Sequence, residues 1–144
     1  MSISDSNIYQ RARDCCDLTT LSLDCEIHKL CGTDRTKQSE KEKDKAFHRL
    51  HTLEEQWKMY RAAIDLIDRP EEVSVRDTIH VLRFFKALHR KNEMLLAFYR
   101  EHEHGSLAEV LNTEEEIRTL KEEQRCNALI IQHCEEHIEN PKAK

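Results

Sequence analysis

Glycine and proline are almost missing from this sequence: two of each occur in 144 residues, where average usage would supply about ten and seven. Antiparallel sandwiches and barrels need a turn every dozen residues or fewer, so a chain this poor in turn formers is not built from strands. Long apolar runs are missing as well. The longest unbroken one, Met94 to Tyr99, is far short of the ~20 residues that cross a bilayer. The stretch Met1 to Arg13 has no basic start followed by an apolar segment, so no secretory signal is expected.

Several motifs that carry chemistry are lacking too. There is no glycine-rich phosphate loop, no Gly-x-Ser-x-Gly elbow and no Cys-x-x-Cys pair. The expectation is a protein that is not an enzyme, with no cofactor and no small-molecule substrate. Nor does one sign of charge dominate: 28 acidic and 23 basic residues interleave, as from Asp34 to Lys45, for a net charge of −5. Nucleic-acid binding needs a concentrated basic face and is disfavoured. Six cysteines without an export signal read as reduced thiols of a cytoplasmic or nuclear protein.

What is present is helix-forming: 35% charged residues set among regularly spaced Leu, Ile and aromatics. The four Gly and Pro positions, Gly32, Pro70, Gly105 and Pro141, fall 38, 35 and 36 residues apart and cut the chain into segments of similar length. Helices are expected at about 5–31, 36–67, 71–104 and 107–139, with 140–144 as a disordered tail. Gly32 suits a left-handed residue after a helix end. Asp68 with Pro70 and Glu71 suits a helix start, and Ser106 with Glu109 a capping box. The fold class is all-α: four long helices in a single domain, an up-down helical bundle or antiparallel coiled coil, with the last helix free to project.

The apolar registers place the faces. The first segment carries Ile8, Ala12, Cys16, Thr19, Leu23, Ile27 and Leu30 on one stripe. In the second, Ala46, Leu50, Leu53, Trp57, Tyr60, Ile64 and Ile67 alternate spacings of four and three, the seam of packed helices. The fourth has Val110, Ile117, Leu120, Ile131, Cys134 and Ile138, interrupted by Thr113, Gln124 and Asn127. The third has two stripes: Val81, Phe85, Leu88, Leu95 and Tyr99, broken by Asn92, and Phe84, Ala87, Met94 and Phe98 one residue over. Fourteen of its 25 residues from Val75 to Tyr99 are apolar, more than a helix with one wet face requires.

Metal binding in a helical bundle is the enzymatic alternative. His51 with Glu55, His133 with His137, and His28 resemble the ligand spacings of hemerythrin-like di-iron bundles. In an up-down bundle, however, a rise of 1.5 Å per residue puts His28 about 5 Å, His51 roughly 25 Å and His133 roughly 40 Å from one end. They cannot share an ion. A Glu-x-x-His di-iron pattern is met only by Glu101 and His104, at a helix end. Cys16, His51, His89 and Cys126 lie within about 10 Å along the axis and are the remaining candidates for a zinc.

The expected function is therefore a non-catalytic adaptor or scaffold subunit that binds other helical proteins, in a homo- or hetero-oligomer, within a larger intracellular complex. Its candidate interface is Phe84, Met94 and Phe98 beside Lys91 and Arg83, with Gln124 and Asn127 as a second surface. Basic residues along the third helix, His80, Arg83, Lys86, His89, Arg90 and Lys91, give an alternative: a face for acidic lipid or nucleic acid.

Overall fold

The computed structural model describes residues 3–101 and 107–139, and 92% of these are helical, with no strand among them. Four helices follow in order: α1 Ile3–Gly32, α2 Glu40–Asp68, α3 Val75–Glu101 and α4 Leu107–Glu139. The all-α bundle expected from the sequence is what the chain forms. Gly105, the Ser106 capping box and the 140–144 tail lie outside the described residues.

The connections differ from expectation in chemistry. Gly32 is the last residue of α1 and has no positive φ. The exposed carbonyls of that helix end are met by side chains instead: Thr33 Oγ1 donates to Lys29 O at 2.6 Å, and Arg35 reaches back to Leu30 O. Helix α2 starts at Glu40 because Ser39 Oγ accepts from Glu42 N at 3.2 Å, with two acids in the first turn facing the positive end of the helix dipole. Pro70 does not open α3. It forms a separate 3-10 turn, Pro70–Glu72, and extended Val73 interrupts the helix. Ser74 then caps α3, accepting from Asp77 N at 3.1 Å, so α3 begins at Val75.

The helices form two antiparallel hairpins, α1 with α2 and α3 with α4. Ion pairs mark both ends of the first: Arg49 with Glu26 at 3.0 Å near its tip, and Arg13 on both oxygens of Asp68 at 2.8 and 3.0 Å at its base. In the second, Tyr99 bonds Glu116 toward the tip and Lys86 meets Glu135 at 3.8 Å toward the base. Thus α4 lies along α3 and does not project from it alone.

The hairpins meet through one half of each helix. The buried cluster draws Ala12 and Cys16 from α1, Ala63, Ile64 and Leu66 from α2, Val81 and Phe85 from α3, and Cys126, Ile130 and Cys134 from α4. Small residues at these crossings let the backbones approach, and Phe85, fully buried, fills the middle. Outside this junction each hairpin relies on its own pairings, such as buried Leu53 in the first and Leu96 in the second.

Registers shift slightly from the expected stripes. In α3, Leu96 is buried where Leu95 was expected, and Asn92 is a buried member of the seam, donating to Glu123 Oε2 at 3.3 Å. In α1, Tyr9 is buried and Ile8 is half exposed. A straight helix drifts by about 20° per heptad against a 3.5-residue repeat, so a stripe anchored at one end turns by about 40° over four turns and brings a neighbouring position toward the core.

Candidate functional site

The two apolar stripes of α3 separate once the chain is folded. Phe84 is half-buried and packs against the core: its ring sits edge-on to Tyr60 at 5.6 Å and to Phe85 at 5.3 Å. It is more covered than Met94 and Phe98, the other two aromatic and apolar residues expected at the surface. Met94 and Phe98 do face outward, at 69% and 51% exposure, and Arg83 and Lys91 are exposed on the same helix. The outer face of α3 is a continuous strip of Arg76, His80, Arg83, Ala87, Arg90, Met94 and Ala97, all exposed and spaced alternately by four and three. Among the described residues Arg76, Arg83, Arg90 and Lys91 make no ion pair, whereas Lys86 on the flank is engaged by Glu135. The basic face anticipated from the sequence thus resolves into an outward strip and a flank used inside the hairpin. Arg76, missed in the sequence reading, could have been found from the seven-residue repeat of arginines at 76, 83 and 90.

Gln124 and Asn127 are not a partner surface. Both are buried. Gln124 Nε2 donates to His89 O at 3.0 Å and to Glu93 Oε1 at 2.8 Å, and Asn127 Nδ2 donates to Gln124 Oε1 at 3.3 Å. Gln124 of α4 thus reaches His89 and Glu93 of α3, and Asn92 of α3 reaches Glu123 of α4, so buried amides bond across the hairpin in both directions and fix its register.

His133 and His137 emerge with roles the sequence did not disclose. Four carbonyls at a helix C-terminus lack intrahelical partners. At the end of α2, Asp65 O accepts from Arg69 N at 2.7 Å, and Leu66 O meets His133 Nε2 at 2.9 Å. One turn on, His137 Nε2 meets Val73 O at 3.0 Å. The His133 ring also packs 4.5 Å from that of Tyr9, whose hydroxyl donates to Glu136 at 3.2 Å. The pair spaced by four is a structural clamp from α4 on the α2–α3 connection.

The zinc candidates are divided. Cys16 and Cys126 line one cavity, while His51 is exposed on α2 and His89 lines a separate groove between α3 and α4. Among the described residues no group of three or more His, Cys, Asp or Glu is placed to hold a metal ion. The cavity, about 80 Å³ in volume, lies at the junction between Tyr60 and Phe85 on one side and α1 and α4 on the other. Three thiols face it, those of Cys15, Cys16 and Cys126, together with Glu123 and Asn127. A hydrogen bond with the Cys126 thiol lowers the pKa of Cys15, and the same contact raises that of Cys126. Burial pushes Cys16 up to about 12.

No protein-family model, curated protein or solved structure matches the chain. No helix among the described residues is long and apolar enough to cross a membrane.

Proposed function

We propose that this protein is a non-catalytic helical adaptor that binds an acidic helix of another protein along the outer face of α3, within a cytoplasmic or nuclear complex. The observation that carries this reading is the exposed strip from Arg76 to Ala97, with the spacing of a helix-packing seam and three arginines that make no ion pair among the described residues. Six cations stand against three acids in α3, while the whole chain carries −5. Concentrated unpaired positive charge on an acidic protein favours an acidic partner and speeds its encounter. Met94 at 69% exposure gives the strip an apolar anchor, since burying a methionine side chain contributes roughly 1.5–3 kcal/mol. All six cysteines are free thiols, as a reducing compartment would keep them.

The test is a combined Met94→Glu and Arg90→Glu variant, compared with wild type by quantitative mass spectrometry after capture from the native cell. Circular dichroism should be unchanged, because both side chains are exposed. The expected result is selective loss of a partner that carries an acidic amphipathic helix, and restored binding when that helix receives the opposite charges. Identical recovery by both proteins would refute the assignment of this face. So would a loss confined to anionic vesicles or nucleic acid.

A further inference from the structure

The adaptor reading makes no use of the thiol cavity. Helices α1 and α4 belong to different hairpins, and at their crossing Cys15 is half-buried while Cys126 is buried. The cavity between them, about 80 Å³, has room for a molecule somewhat larger than water. Its wall supplies Thr19 and Asn127 as hydrogen-bonding groups beside the sulfurs. Cys25 and Cys31 are exposed on the outer part of α1 and have no cysteine facing them from another helix among the described residues.

We propose that Cys15 and Cys126 are a peroxide-responsive thiol pair, whose disulfide staples the first hairpin to the second. The oxidant is hydrogen peroxide, which fits the cavity. The Cys15 thiolate attacks one peroxide oxygen and the O–O bond breaks. The departing hydroxide takes a proton, giving water and a sulfenic acid on Cys15. The Cys126 thiol then loses its proton, its sulfur attacks the Cys15 sulfur, and the S–O bond breaks to release a second water. Two thiols and one peroxide become one disulfide and two waters. The contact with Cys126 favours the thiolate of Cys15, which is the form that reacts. Cys126 is held protonated by that same thiolate and loses the restraint once Cys15 is oxidised. A bridge requires Cα atoms within about 7 Å, a separation open to small residues at a helix crossing. Among the described residues the buried contacts between the hairpins lie at the junction, so the staple would prevent them from separating there and stiffen the angle between them.

The experiment treats the reduced full chain with one equivalent of hydrogen peroxide, then alkylates and maps peptides without reduction. Expected is a loss of two hydrogens, with fragment spectra linking Cys15 to Cys126, and a Tm several degrees higher that dithiothreitol returns to its starting value. Cys25→Ser and Cys31→Ser should leave the product unchanged, while Cys15→Ser should abolish it. Cys126→Ser keeps a hydrogen-bond donor facing Cys15 but removes the resolving sulfur, and should leave Cys15 as a trapped sulfenic acid, detected with dimedone. Dimers linked through Cys25 or Cys31, a Cys15–Cys16 bridge, or Cys15 and Cys126 both remaining alkylatable would each overturn the proposal.

Discussion

Replacing His133 with Phe isolates a single interaction between the hairpins. Phe keeps an aromatic ring against Tyr9, which lies 4.5 Å from the imidazole, and preserves most of the buried volume. It removes the nitrogen that reaches Leu66 O at 2.9 Å. Leu66 is itself fully buried and His133 is only 8% exposed, so water does not readily replace the lost partner. A buried carbonyl left without a donor costs about 1–3 kcal/mol. The expected loss is ~2 kcal/mol, which moves a urea midpoint by about 1 M at an ordinary m-value. Tm should fall by roughly 6–8 °C. Unfolding followed both by circular dichroism and by fluorescence of Trp57, the only tryptophan, checks that the transition remains two-state. His133→Gln, which retains a side-chain N–H donor, should recover more than half of the loss. An H133F protein that unfolds at the wild-type urea concentration would refute the view that this histidine caps α2 across the hairpins.

Two further outcomes distinguish core from surface. Phe84→Glu places a carboxylate beside Tyr60 and Phe85. It should lower stability by about 3 kcal/mol in thermal melts, in contrast to the near-neutral effect expected for Met94→Glu at an exposed site. Alkaline pH should also destabilise the fold. Burial raises the Cys16 and Cys134 thiols from 9.0 to about 12 and raises the Tyr60 hydroxyl in the same direction. Because the folded state holds these protons more tightly than the unfolded one, their contribution is intact below about pH 9 and lost as pH rises toward 12. Urea midpoints measured from pH 8 to 11 should fall steadily above 9, and Cys16→Ala with Cys134→Ala should flatten that fall.

Composition and spacing alone determined the helical class and the number of helices. Scarcity of Gly and Pro excludes strands, and a helix needs only local hydrogen bonds and one apolar face, both of which are written along the chain. The core positions Ala12, Cys16, Leu53, Ile64, Val81 and Phe85 were legible for the same reason, and so were the outward positions of Met94 and Arg83. The helix ends were less so. Whether Pro70 opens a helix or makes its own turn depends on Ser74, which offers a competing cap a few residues later. Tertiary structure alone decided which of the two stripes of α3 each aromatic joins. Phe84 and Phe98 are equivalent by period, but only Phe84 lies at the level where α2 passes close enough for Tyr60 to cover it. The fates of Gln124, His133 and Cys126 were likewise set by the neighbour each one meets. A polar residue or thiol on a helix seam becomes a register lock, a cap or a reactive pair according to the group placed opposite by the crossing of a distant helix, and no local period encodes that crossing.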